Sequence, residues 1–221
     1  MSTAAKMAKK AVTAAETLTI SRLNQQMMEI SVVGTAPYMQ LRFPIKGIQK
    51  LKETHMLGSA ARKGQKRDPR DFDADYEGAF YVSEEGWHGV PTTQIRAACI
   101  RACALVNFKM TIAKMCINIL PDGYDKFDGT PLIRLQEITP PIRTEWPVPN
   151  ANGKIDIRVR PQWRQWGLTF TVQFDADQFT SQDILNLINR AGQQVGIGEG
   201  RPFSKNSAGI GMGTFALKSA E

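Results

Sequence analysis

The chain has 221 residues, of which 42% are hydrophobic and 8% aromatic, enough for one large domain with an apolar core. Its formal net charge of +7 favours a polyanionic partner such as nucleic acid. No apolar run reaches the ~20 residues that span a bilayer, and the first residues lack the pattern of a secretory signal, so we expect a cytoplasmic protein with no membrane partner.

The N-terminal part predicts a tail, one strand and a basic loop. Residues 1–16 predict the tail, and the apolar residues from Met28 to Val33 predict the strand. Near residues 58–72 the chain has basic residues, a glycine and a proline with almost no apolar side chain, which is typical of a mobile loop. We expect four side chains of this loop to act as a flexible clamp on the partner: Lys63, Lys66, Arg67 and Arg70.

The middle of the chain predicts a helix, a strand and an irregular insertion. The helix runs from Thr93 to about Val106, with apolar side chains at helical spacing. The stretch "KMTIAKMCINIL" predicts a strand. The proline-rich residues that follow fit no single element, so we expect an irregular insertion near residues 121–154.

No motif of this sequence predicts a cofactor or a metal site. Phosphate-binding loops of the G-x-x-x-x-G-K-[ST] type are absent, and the proline after "GIGEG" prevents a dinucleotide-binding helix there. Cys99 and Cys103 share a helix face, but neither histidine lies at a metal-finger spacing from them. We therefore expect buried free thiols and no cofactor.

The C-terminal third predicts two adjacent alternating strands with a basic, aromatic character. Arg158 and Arg160 are two residues apart and therefore project from the same strand face. Together with Arg164, Trp163 and Trp166 they predict a surface on which guanidinium groups bind phosphates and indole rings stack on bases. The alternative is a charged edge strand with its tryptophans in the core.

A glycine-rich segment, "VGIGEGRPFSKNSAGIGMGTFAL", follows a capped helix near the end of the chain. Glycine is kept where the backbone needs a positive φ or a close approach. Exposed N–H groups in such a segment can hold a phosphate, and basic side chains add charge. We assign Gly198, Gly209, Gly211, Arg201 and Lys205 to this site, with a plain surface connection as the alternative.

Alternating strands and two capped helices indicate an α+β fold, a mostly antiparallel sheet with helices on one face. The glycine cluster after a strand–helix unit, followed by "GTFAL", resembles the C-terminal glycine-rich loop of the RAMP superfamily, the ferredoxin-like RNA-binding subunits of CRISPR complexes. This resemblance covers roughly residues 155–217, and it implies a ferredoxin-like sheet that holds a nucleic-acid backbone, often in lateral assemblies. The stretches "GWHGVPTTQIRAACIRAC" and "AGQQVGIGEGRP" are also similar to an uncharacterised group of bacteriophage early-region proteins.

We therefore expect residues 17–221 to form one α+β domain that binds single-stranded DNA or RNA without catalysis. Binding is expected to be cooperative, through a homo-oligomer or filament, in the host cytoplasm if a phage or mobile element encodes the chain. One alternative is a RAMP-like endoribonuclease that uses His88 or His55 as its base. The other is a phage assembly protein, or an inhibitor of a host defence complex, whose basic patch contacts an acidic protein.

Overall fold

Two antiparallel β-sheets and five helices make up the part of the chain that the computed structural model describes, residues 20–58, 69–149, 155–204 and 210–218. The predicted α+β class with antiparallel pairing is therefore confirmed. The predicted tail, residues 1–16, lies outside the described residues, as do Lys63, Lys66 and Arg67 of the predicted clamp.

The elements have the following bounds in chain order. The strands are β1 (Gln25–Gly34), β2 (Tyr38–Met39), β3 (Gly89–Pro91), β4 (Ile117–Ile119), β5 (Gly123–Tyr124), β6 (Pro131–Glu137), β7 (Ile142–Pro149), β8 (Ile155–Trp163), β9 (Trp166–Asp175) and β10 (Phe215–Leu217). The helices are α1 (Ile45–Leu57), α2 (Phe72–Glu77), α3 (Thr92–Cys103), α4 (Met110–Cys116) and α5 (Ser181–Arg190). A 3₁₀ turn, Ala104–Val106, follows α3, and a π-helical turn, Ala191–Val195, follows α5.

Strand β9 is the centre of the larger sheet. On one side it pairs with β1, which pairs with β10, and on the other side it pairs with β4 and β6. Strand β6 also pairs with β3 and β5. In β9, Leu168 and Phe170 face the core, whereas the next residue after each, Thr169 and Thr171, is partly exposed. This alternation is typical of a sheet that is covered on one face.

Helices α3 and α5 pack on the apolar face of the larger sheet. Ile95 and Cys99 of α3, and Ile184 and Ile188 of α5, belong to the same buried cluster as the apolar side chains of β9. Burial raises the pKa of the Cys99 thiol to about 12, with a smaller contribution from Cys103, so Cys99 is neutral at physiological pH.

Two segments differ from the sequence prediction. The predicted strand over "KMTIAKMCINIL" is mostly helix α4, because Met110, Ala113 and Cys116 pack on the core at a spacing of three residues. The insertion near residues 121–154 is not irregular, since it contains β5, β6 and β7. Strand β7 contains Pro147 and is an edge strand of its sheet, the position to which proline is largely confined.

The smaller sheet has the strand order β2-β8-β7, and its two faces meet different neighbours. Trp146 of β7 lies opposite Arg158 of β8, so these side chains share one face with Arg160. Helix α2 packs against β8, and Arg143 of β7 forms an ion pair with Asp73 of α2. Among the described residues, no helix is long and apolar enough to span a membrane.

A buried ion pair joins the two sheets. The guanidinium of Arg42, which follows β2, donates to Asp125, which follows β5, at 2.8 Å. Asp125 also accepts the backbone N–H of Val82 at 3.1 Å and that of Phe127 at 2.9 Å. The buried charges of Arg42 and Asp125 are therefore compensated by each other and by backbone N–H groups where the two sheets meet.

Candidate nucleic-acid interface

The glycine-rich segment lies against β2 and closes on itself. The N–H of Glu199 donates to the carbonyl oxygen of Met39 at 2.9 Å, and the N–H of Gly213 donates to that of Pro37 at 2.8 Å. The N–H of Ile197 donates to the carbonyl oxygen of Gly213 at 3.0 Å. The two glycine clusters of the sequence therefore lie on two segments of the chain that contact each other beside β2.

Close packing explains several of these glycines. A Cβ atom at Gly213 would lie 1.8 Å from the carbonyl oxygen of Ile197, and one at Gly198 would lie 2.4 Å from that of Met39. Both residues also have a positive φ, 65° at Gly213 and 74° at Gly198. Gly198 is thus required by its contact with β2 and by its positive φ, and its contact with a ligand stays a prediction. Gly209 lies outside the described residues.

Most backbone N–H groups of the segment already have a protein acceptor. The N–H of Gly198 donates to the side chain of Gln94 at 3.0 Å. Those of the following residues donate to backbone carbonyls: Gly196, Ile197, Glu199, Phe203, Ser204, Ile210, Met212 and Gly213. Among the described residues, the N–H groups of Gly200, Arg201, Gly211 and Thr214 in this segment have no acceptor. Within the described residues, the N–H groups that could form the predicted phosphate cradle are therefore limited to these four.

A first cleft, of about 660 Å³, lies between α3 and the glycine-rich segment. Arg101, Arg158 and Arg201 line it together with the half-exposed ring of Phe203. The guanidinium carbon of Arg101 is 4.0 Å from the centroid of the Phe203 ring, a cation–π contact. Arg201 donates to the carbonyl oxygen of Gly198 at 2.8 Å, which holds its guanidinium beside the segment.

A second cleft, of about 370 Å³, lies between the β7–β8 hairpin and the same segment. Trp146, Arg158, Arg160 and Glu199 line it, and Arg158 and Glu199 also line the first cleft. Arg158 donates to one carboxylate oxygen of Glu199 at 2.5 Å, and Arg160 donates to the other at 2.6 Å. The two arginines do share a strand face as predicted, and one carboxylate neutralises only part of their charge.

The two tryptophans assigned to base stacking are in the core. Trp163 and Trp166 have no exposed surface, and the indole N–H of Trp166 donates to the carbonyl oxygen of Ala36 at 2.8 Å. Both rings contact Tyr38 of β2, with centroids 5.7 and 5.4 Å away. The stacking prediction is wrong for these residues, because they fill the junction between the two sheets. Trp146, which lies in the proline-rich stretch, lines the second cleft instead.

The other predicted contacts do not converge on the clefts. Arg164 is exposed in the turn between β8 and β9, and it is not among the residues that line either cleft. Arg70 donates to Asp75 at 2.6 Å and to Asp156 at 2.5 Å, so it holds α2 to β8 and is not a free clamp residue. Lys205 lies outside the described residues.

The two histidines occupy different surroundings. His88 shares a hydrogen bond with Glu137 at 2.6 Å, and its ring stacks on Phe80 at 4.8 Å between centroids. His55 is exposed on α1. Neither histidine is among the residues that line the two clefts.

Sequence reasoning missed four residues of this interface: Arg101, Trp146, Glu199 and Phe203. Arg101 stands on the exposed face of α3, which a helical pattern identifies as solvent-facing without saying that a cleft adjoins it. Trp146 belongs to the same basic and aromatic stretch as Trp163, but it falls within the predicted irregular insertion, so the sequence predicts no strand face for it. The chain matches no protein-family model, and no curated protein matches it.

Proposed function

We propose that this protein binds single-stranded nucleic acid along the two adjoining clefts, without catalysing a reaction on it. We name this surface the arginine groove and define it by six residues: Arg101, Trp146, Arg158, Arg160, Arg201 and Phe203. The observation that carries the proposal is that four guanidinium groups and two accessible rings line clefts that share Arg158. Arginine binds phosphates, and ring stacking contributes ~1–3 kcal/mol per base.

Two neighbouring backbone groups support the same function. The N–H groups of Gly200 and Arg201 have no acceptor in the described part of the chain, and Gly200 has a φ of 75°. Successive N–H groups beside a left-handed residue form a concave anion site. Both residues line the first cleft, so a phosphate there would meet N–H groups as well as guanidinium groups.

We further propose that β1, α3, β4, β9, α5 and β10 form a ferredoxin-like unit, as in the RAMP superfamily. These elements follow the β-α-β-β-α-β order, and the strands adjoin as β10-β1-β9-β4. The remaining helices and strands are then additions to that unit: α1, α2, α4, β2, β3 and β5 to β8. Cooperative assembly of several copies along one strand, and an origin in a phage or mobile element, are parts of the same proposal.

The dependence of binding on salt tests the groove. Fluorescence anisotropy with labelled single-stranded DNA and RNA is expected to give a log K that falls linearly with log salt, by about 0.7 per phosphate neutralised. The double substitution Arg101→Gln, Arg201→Gln should flatten that slope by about 1.4, for two lost phosphate contacts. Because both side chains are at the surface of a cleft, circular dichroism should show an unchanged fold.

A matched control removes the same charge elsewhere. Arg134→Gln, Arg164→Gln changes two exposed arginines outside the groove and should leave the slope within about 0.7 of the parent. Equal slopes in the two double variants would contradict the groove. An absence of salt-dependent binding to either type of strand would contradict the function.

A further inference from the structure

The second cleft holds a carboxylate that a groove for phosphates alone does not need. Glu199 lies between Gly198 and Gly200, and its N–H is bonded to β2, so the backbone fixes where its side chain begins. The Glu199 side chain is 15% exposed, and the residue lines both clefts. A negative group repels a phosphate backbone, so its fixed position among arginines points to another kind of contact.

Glu199 keeps acceptor capacity beyond its two ion pairs. Each carboxylate oxygen accepts one N–H from an arginine, Arg158 on one side and Arg160 on the other. An ionised carboxylate has about four lone-pair sites, so about two are left for a ligand. The cleft therefore presents acceptors of Glu199 beside the donors of two guanidinium groups.

This arrangement of acceptors and donors matches one nucleobase better than the others. On its Watson–Crick edge guanine has two adjacent donors, N1–H and the N2 amino group, beside the acceptor O6. A carboxylate accepts from both donors while arginine donates to O6, and unstacked bases of a single strand expose this edge. Adenine and cytosine have one amino donor there, and thymine and uracil have one ring N–H.

The size and lining of the second cleft fit a base. Its volume of about 370 Å³ falls within the range of ~300–1,000 Å³ that small-molecule sites have. Trp146 provides a ring on which a purine can stack, and Met39 and Ile210 add apolar surface. A purine has the larger stacking area of the two base classes, which again favours guanine.

We infer that the second cleft binds a guanine base of the single strand, with Glu199 accepting from N1–H and the N2 amino group. Arg158 or Arg160 donates to O6, and Trp146 stacks on the ring. This inference rests on the proposed function and adds a base preference to it. Glu199 is then the specificity-determining residue of a groove whose arginines bind any sequence.

Strands that differ in one base test the inference on the unaltered protein. Labelled 12-nucleotide strands of adenine and cytosine carry one central guanine, inosine or adenine, and their affinities are compared at one salt concentration. We expect the guanine strand to bind about tenfold more tightly than the adenine strand. Inosine lacks the N2 amino group and should fall between them. Direct binding of free guanosine monophosphate is measured separately, to distinguish a base in a strand from a free nucleotide.

Substitution of Glu199 assigns the preference to its carboxylate. Glu199→Gln is nearly isosteric and should remove the preference for guanine while binding of the adenine strand stays equal or becomes tighter, because one negative charge is gone. Thermal denaturation checks that the variant is folded. A guanine preference that persists in this variant would overturn the assignment to Glu199.

The remaining outcomes separate the inference from the proposed function. Equal affinity of the unaltered protein for the three strands, with salt dependence retained, overturns the guanine site and leaves the groove standing. Binding of guanosine monophosphate with no binding of any strand overturns the groove and supports a guanine site for a free nucleotide. No binding of strands or nucleotide overturns both.

Discussion

The two sheets place alternating side chains in different surroundings. In β9 of the larger sheet one face is packed under α3 and α5, and the other carries partly exposed threonines such as Thr171. In β8 of the smaller sheet one face meets α2, and the other meets the glycine-rich segment, where Arg158 contacts Glu199. The charged face of β8 therefore lines a cleft. The surroundings of a strand's side chains depend on which element covers their face of the sheet.

The largest expected effect separates a tryptophan of the sheet junction from the tryptophan of the cleft. Trp166→Ala removes a fully buried ring and its hydrogen bond, so we expect the free energy of unfolding to fall by about 3–5 kcal/mol. Trp146→Ala removes a partly exposed ring and should cost about 1 kcal/mol or less while weakening strand binding. Urea denaturation followed by circular dichroism measures both. Equal losses of stability would show that Trp146 belongs to the core.

The sequence predicted the parts of this arrangement that depend on neighbouring residues. The alternation in β9 and the strand face shared by Arg158 and Arg160 both follow from local patterns, and the structure has them. Glu199 is distant in sequence from both arginines, so no local pattern could identify it as their partner. The proline-rich residues predict an irregular insertion because the edge position of β7, which accommodates Pro147, depends on tertiary pairing.

The tryptophans show the same limit for burial. A basic and aromatic stretch predicts a nucleic-acid surface only if its rings are exposed, and exposure depends on Tyr38, which lies far away in the sequence and packs on Trp163 and Trp166. The glycine-rich segment was likewise ambiguous, since a glycine needed for contact with another backbone and one needed for contact with a ligand look alike in a sequence.

A smaller effect distinguishes two glycines within the segment that covers the smaller sheet. Gly213→Ala introduces a Cβ 1.8 Å from the carbonyl oxygen of Ile197 at a φ of 65°, so steric overlap adds to backbone strain. We expect a loss of about 3 kcal/mol in the free energy of unfolding. Gly211 has a φ of 77° with no atom within 4 Å of an added Cβ, and its substitution by alanine should cost about 1 kcal/mol from strain alone.

Thermal denaturation of the two glycine variants gives the comparison directly. For a chain of this size 1 kcal/mol corresponds to roughly 2–4 °C in melting temperature, so the two variants should be resolved. Equal melting temperatures would mean that Ile197 and Gly213 are packed less closely than the hydrogen bond between their backbones indicates.

The smallest expected effect concerns Asp183, an exposed residue in the first turn of α5, the helix that packs on the larger sheet. Asp183 accepts the N–H and the hydroxyl of Thr180 at the start of α5, and the hydroxyl bond above all lowers the pKa of this carboxyl. A pKa below the unfolded value of about 3.9 means that the charged cap stabilises the fold fully above about pH 4 and that this stabilisation disappears as the pH falls through the lowered pKa.

The melting temperature of Asp183→Asn should therefore lie slightly below that of the parent at pH 7, and the gap should close in acid. A gap of the same size at both pH values would mean that the charge of Asp183 has no part in the cap. A small gap that closes is the result expected of an exposed charge, which contributes little to stability.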